Sequence, residues 1–294
     1  IPGLDPDRNT IQMDLFPTSM LSNVLVIKSA RADLPADFTG GVIDIITKDF
    51  PTKEEFSISL NTAYNPDMHF NDNYLSYTGG STDFLGFDDG SRKNTIANSF
   101  LGNTFDPRLN PSESGLGLVN RISNQFNPQM APQISNSGMN FGFGVTYGNQ
   151  FNFENGHSFG VLGSISYKNQ QTVYEDTQDN IYNFNPIKSE FSFEENRIQS
   201  GTIGGQNIIA SGLFGLTYKT TTSKYKFNGL HIQNGQSTSG SFRQLTRFSD
   251  FIDFNKFNLE YNERSISNAM LSVLHNFEES NLKLEWTLSG TLAK

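Results

Sequence analysis

The sequence predicts an all-β chain, part of a transmembrane antiparallel β-barrel to which it contributes about seven strands. Three observations predict it. From Glu55 onward apolar residues recur at every second position, the period of a strand with one apolar face. The connections between successive alternating segments run long, short, long, short, long, short, at residues 65–137, 151–156, 169–206, 220–223, 234–254 and 278–281. The composition, with 26 Phe, 10 Tyr and 26 Gly, favours strands and turns over helices. Outer-membrane barrels join their strands by short turns on one side and long loops on the other, whereas a soluble sandwich has no reason to keep that parity.

Average hydropathy does not oppose this reading. Only 35% of the 294 residues are hydrophobic, the mean hydropathy is −0.44, and the chain has no run of about 18 apolar residues that would make a membrane helix. Barrels give the same averages, because every second strand residue faces a polar lumen. The net charge of −9, with no basic patch, argues against nucleic acid as a partner. The absence of cysteine excludes a disulfide scaffold and thiolate metal sites.

Taken in order, residues 1–20 read as loop, with Asp5-Pro6-Asp7-Arg8-Asn9 as a turn cluster suited to a type I turn. Residues 24–27 and 42–46 are short β-branched and aliphatic runs bounded by polar residues and glycine, the pattern of two buried strands. The loop between them closes on Gly40-Gly41. Without Cβ atoms this pair can take φ > 0 and bring the second strand close to its neighbour.

The same stretch resembles the end of the plug domain in TonB-dependent outer-membrane receptors. The resemblance rests on Val24-Leu25-Val26-Ile27-Lys28-Ser29, Phe38-Thr39-Gly40-Gly41 and Val42-Ile43-Asp44-Ile45-Ile46-Thr47-Lys48. Asp14-Leu15-Phe16-Pro17-Thr18 and Leu34-Pro35-Ala36-Asp37-Phe38 are similar to the spelling in receptors of the Bacteroidota. It implies the C-terminal part of an α+β plug at residues 1–52, seated inside a barrel whose N-terminal part is residues 53–294. A full plug of this family is longer, so the chain reads as an internal portion of a larger receptor. The resemblance further implies the outer membrane of a Gram-negative cell, contact with outer-membrane lipid, and a TonB-type energy-coupling protein as partner. The implied function is energised import of a ligand, with no enzyme activity and no cofactor. The alternative is a plugged barrel acting as a surface-binding or structural subunit of an outer-membrane complex, with a surface lipoprotein among its partners. Iron chelates, cobalamin, oligosaccharides and peptides all remain open as substrates.

Barrel strands are expected near residues 55–64, 138–150, 157–168, 207–219, 224–233, 257–277 and 282–293. Phe56, Ile58, Leu60 and Tyr64 alternate with Ser57, Ser59 and Asn61, and Phe141, Phe143, Val145 and Tyr147 alternate with Gly142, Gly144 and Thr146. Asn155-Gly156 is a hairpin signal. Tyr64, Tyr147, Tyr167, Tyr218 and Trp286 are candidates for interfacial girdles.

Sites of chemistry are not apparent. Gly115-Leu116-Gly117-Leu118 lacks the third glycine and helix of a dinucleotide loop. His69, His157, His231 and His275 have no ligand spacing. Asp88-Asp89-Gly90 lacks the alternating oxygens of a calcium loop, and no Ser, His and Asp stand in a recognisable catalytic order. The candidate ligand site is therefore geometric. Residues 65–137 are the longest connection and carry Phe84, Phe87, Arg92, Lys93, Phe100, Phe105 and Arg108. Their aromatic content exceeds that of disordered tracts. The expectation is a folded segment over the barrel mouth, facing Asp5, Asp7, Arg8 and Asn9 of the plug turn, with aromatics for contact area and charges for orientation.

Overall fold

In the computed structural model, the described residues are 21–29, 41–47, 53–93, 120, 124, 127–184, 193–247 and 251–294. Strands β1 (Leu21–Ile27) and β2 (Val42–Thr47) pair antiparallel, with Val24 opposite Ile45 and Val26 opposite Ile43. The pairing follows the sequence pattern, but the expected burial does not. Leu25, Val26, Ile43 and Ile46 are exposed, because a two-stranded hairpin covers neither of its own faces. Gly41 also departs from expectation. Its φ is not in the left-handed region, and a Cβ there would lie 3.4 Å from the Ile27 carbonyl oxygen, an ordinary contact. Gly40 lies outside the described residues.

The main sheet is an antiparallel meander in the order β3-β6-β7-β9-β10-β11-β12. Its strands are β3 (Glu55–Ala63), β6 (Asn140–Asn152), β7 (Ser158–Gln178), β9 (Phe193–Lys219), β10 (Ser223–Arg247), β11 (Phe251–Phe277) and β12 (Leu282–Ala293). The short β8 (Ile181–Phe184) pairs with the start of β9, and β4 (Tyr74–Ser76) pairs with β5 (Gln133–Ser135) inside the first long connection. One end of the sheet is closed by tight turns. Gly156 takes φ 79° in the first, where Asn155 Oδ1 accepts from the His157 N–H. Thr220 and Ser223 close the second, and Asn281 at φ 48° ends the third.

The other end differs from the sequence expectation. Residues 234–247 do not form a loop: they continue β10, paired to β11 as far as Arg247 opposite Phe251. Likewise β7 runs on to Gln178 and β9 begins at Phe193, so most of 169–206 is strand. In β7, β9 and β10 these extensions are rich in Ser, Thr, Gln, Asn and Gly, with only scattered apolar residues such as Val173, Ile203, Phe242 and Leu245. The period-two signal is lost there, although the backbone ladder continues.

The two faces of the sheet are sharply different. Across the region joined by tight turns, one face carries Phe56, Ile58, Phe143, Val145, Ile165, Phe214, Phe227, Leu271, Trp286 and Leu288. The opposite face carries Ser59, Thr146, Ser164, Ser211, Thr217, Asn228 and Ser272, together with Lys168, Lys224, Lys226 and Glu285. Burial follows the face rather than polarity, since the opposite face also buries Leu162, Leu213, Ile232 and Ile266. Ile58, Phe214 and Leu288 are 62%, 47% and 67% exposed, whereas Ser164, Ser211 and Asn228 are 4%, 7% and 7% exposed. The buried polar side chains satisfy one another: Thr146 with Ser164 at 2.8 Å, Ser166 with Ser211 at 2.8 Å, and the Asn234 amide donating to Asn207 at 2.6 Å.

Candidate functional site

The first long connection begins as a tight polar turn. His69 is buried, its Nδ1 accepting the Asn65 N–H at 2.8 Å, and Ser137 Oγ donates to the Met68 carbonyl while accepting the Asn71 N–H. The β4–β5 pair then carries the chain across β7, β9, β10 and β11. It does so on the same face of the sheet that bears the exposed apolar residues.

Glycine makes this docking possible. A Cβ on Gly204 of β9 would stand 2.0 Å from the Leu75 carbonyl oxygen, so β4 rests directly on the strand backbone. Further along, a one-turn 3-10 helix at Asp83–Leu85 ends on Gly86 at φ 84°, a left-handed cap that other residues adopt only with strain. Gly86 lies against Gly235 of β10: a Cβ on Gly235 would be 2.5 Å from the Gly86 Cα and 2.5 Å from the Tyr261 hydroxyl. Polar contacts hold the approach. The buried Gln233 amide donates to the Gly86 carbonyl at 2.7 Å, and the Tyr167 hydroxyl donates to the Phe84 carbonyl at 2.7 Å.

Arg92 organises the tip. One guanidinium nitrogen donates to Asp83 at 2.8 Å and to Asp88 at 3.0 Å, and the other donates to the second Asp83 oxygen. The guanidinium carbon lies 4.0 Å from the Tyr261 ring centroid and 5.4 Å from that of Tyr77, within cation–π range of both. Burial works against the Arg92 charge, but hydrogen bonds to Asp83 and Asp88 outweigh it and raise its pKa. Glu263 of β11 accepts the Asp88 N–H at 3.1 Å and the Gln233 amide at 3.2 Å. Burial pushes its carboxyl up, and these bonds, with Lys294, bring it below the usual carboxylate range. Asp89 is also held low, by Ser91 and Ser81 donating to its carboxylate. Burial pushes the Tyr74 phenol up to about 12.

Of the expected site residues, Phe84, Phe87 and Arg92 are brought together here. Asp5, Asp7, Arg8, Asn9, Phe100 and Arg108 lie outside the described residues. Arg92 is engaged with Asp83 and Asp88 in bracing its own segment. Sequence reasoning missed Gly204, Gln233, Gly235, Tyr261 and Glu263. The available signal was glycine inside strand sequence, which marks close backbone approach.

Below the docked segment the apolar face holds a groove of about 600 Å³. Its floor is Gly163, Gly212 and Gly229, and its walls include Tyr147, Phe214 and His231. The histidines are engaged locally: His231 with Ser267, His275 with Ser223, and His157 with Tyr218. Among the described residues no three His, Asp or Glu gather in the manner of a metal site. Comparison with protein-family models, curated proteins and solved structures gave no match to this chain.

Proposed function

We propose that this chain is the plug end and first barrel strands of a TonB-dependent outer-membrane receptor, which imports a ligand with energy coupled from the inner membrane. The observation that carries the membrane half of this reading is the inverted burial. In a soluble β protein the more apolar face is the covered one, while here the face with the aromatics is open and the face that mixes Ser, Thr and Asn with Leu162, Leu213, Ile232 and Ile266 is buried. A sheet curling around its polar side, with a band free of charge turned outward, is the arrangement a barrel needs in lipid. From Tyr225 to Gln233 of β10, as on its neighbours, that band has the span of about 9–11 residues that crosses a bilayer when tilted. The import half rests on the resemblance of residues 24–48 to a plug.

A specific observation also favours the second reading, a plugged barrel serving as a docking subunit. The overhanging end of the sheet exposes Tyr182, Phe184, Phe193, Ile252 and Phe254, aromatic and aliphatic groups of the kind that partner proteins cover. Deleting the gene and growing the strain on a panel of iron sources and glycans separates the two. Loss of growth on one source, restored by the intact gene, is the result expected of an importer. Unchanged growth on every source, with a surface protein lost from the outer membrane, assigns the docking role instead.

A further inference from the structure

The apolar face ends differently at its two margins. At the tight-turn margin one register row carries Phe151, Phe159, Tyr218, Tyr225 and Trp286, aromatics on five of the strands. At the opposite margin the corresponding row is Leu60, Phe143, Tyr167, Ala210, Gln233 and Ser265. Its aromatics stop at β7. Over β9, β10 and β11 the sheet itself presents only small or polar side chains.

The docked segment lies over that gap. Tyr167 fixes the Phe84 carbonyl, and the Phe87 ring stacks on His231, one row inside the margin, at 6.4 Å between centroids and 8° between planes. The rings are turned outward: Phe84 is 60% exposed and Phe87 37%, with Leu85 exposed between them. A one-turn helix and the residue after its glycine cap, held by a buried glutamine and the cation–π contacts of Arg92, thus display three exposed apolar side chains. Through Tyr167 the segment adjoins the row begun by Phe143 and Tyr167.

We infer that the turn Asp83–Leu85 with Phe87 is a loop-borne interfacial anchor, which supplies to a lipid surface the aromatic girdle that β9–β11 lack. Resting on the membrane reading above, it names lipid at the headgroup boundary as what Phe84, Leu85 and Phe87 contact. Aromatic rings favour that level because their apolar bodies sit in the acyl region while the segment carrying them stays hydrated. The Asp83 and Asp88 carboxylates of the segment are engaged with Arg92, and its Phe84 and Gly86 carbonyls accept from Tyr167 and Gln233.

The single tryptophan allows a direct test. The receptor that contains this chain, with any tryptophan outside it replaced by phenylalanine, is reconstituted in phosphatidylcholine vesicles whose acyl chains carry bromine either near the ester or near the far end. Emission is read from native Trp286, and from Trp286→Phe variants that also carry Phe84→Trp or Phe87→Trp. Trp286 reports the belt and the introduced tryptophans report the anchor. The expected result is loss of emission from the tryptophan at 84 or 87 with the shallow bromines, and little loss with the deep ones. The inference is overturned if lipid bromine quenches Trp286 while positions 84 and 87 respond only to aqueous acrylamide. It is equally overturned if they respond to neither quencher, since protein then covers them. Failure of lipid bromine to quench Trp286 refutes the membrane reading itself, and the anchor with it.

Discussion

Gly235 shows how a single missing side chain places a whole segment. Its Cα faces Gly86 across a backbone contact that leaves no room for a methyl group on either side, and Tyr261 closes the third direction. Gly235→Val should therefore lift residues 77–93 from the sheet while leaving the strand pairing of β10 intact. Forcing atoms into a packed contact costs about 1–3 kcal/mol, enough to make the segment open to protease. Limited proteolysis of the reconstituted protein measures it: cleavage within 77–93 should speed up by roughly tenfold or more. Unchanged cleavage would mean that the hydrogen bonds from Gln233 and Tyr167 position the segment without help from the glycine pair.

At the scale of elements, docking joins an acidic segment to a strand that itself carries Glu263, and Arg92 with the backbone N–H groups makes this tolerable. Because Glu263 is held below its ordinary value in the docked state, its contribution is present above that value and is lost as pH falls through the lowered one. Amides of residues 77–93 should lose hydrogen-exchange protection below about pH 4, after correction for intrinsic rates. Glu263→Gln removes the titrating group, so wild type and variant should differ in that range. Superimposable profiles would show that the Glu263 contacts do not stabilise docking. The long β9–β11 extensions belong to this scale too. They stand as strands because their backbones pair with their neighbours, although their apolar residues are too scattered to mark them.

For the whole molecule the decisive property is which face is open. If lipid covers the apolar face, a charge placed in the middle of the band costs about 2–4 kcal/mol, while the same charge on the polar face meets water. Phe214→Arg should lower assembly into the outer membrane, scored as heat-resistant migration of the barrel in mild detergent. Lys226→Arg, on the opposite face, should leave it unchanged. Equal assembly of both variants would remove the membrane reading.

Periodicity alone located the strands that alternate. From Glu55 to Ala63 and along the tight-turn halves of β6, β7, β9, β10, β11 and β12, the period-two pattern and the Asn155-Gly156 signal located the elements to within a few residues. It also determined which residues share a face, since that follows from parity alone. Tertiary structure decided what parity cannot express. The extensions of β9, β10 and β11 exist because neighbouring backbones pair, an interaction that is blind to side-chain pattern. The docking of Gly86 and Asp88 onto Gln233, Gly235 and Glu263 joins residues far apart in the chain through one glycine–glycine contact and side-chain bonds to backbone groups, for which the sequence carries only the faint trace of glycine in a strand. The burial of one face and the exposure of the other is a property of the assembled sheet. No single strand carries it, because each strand has both faces and the fold chooses which one to enclose.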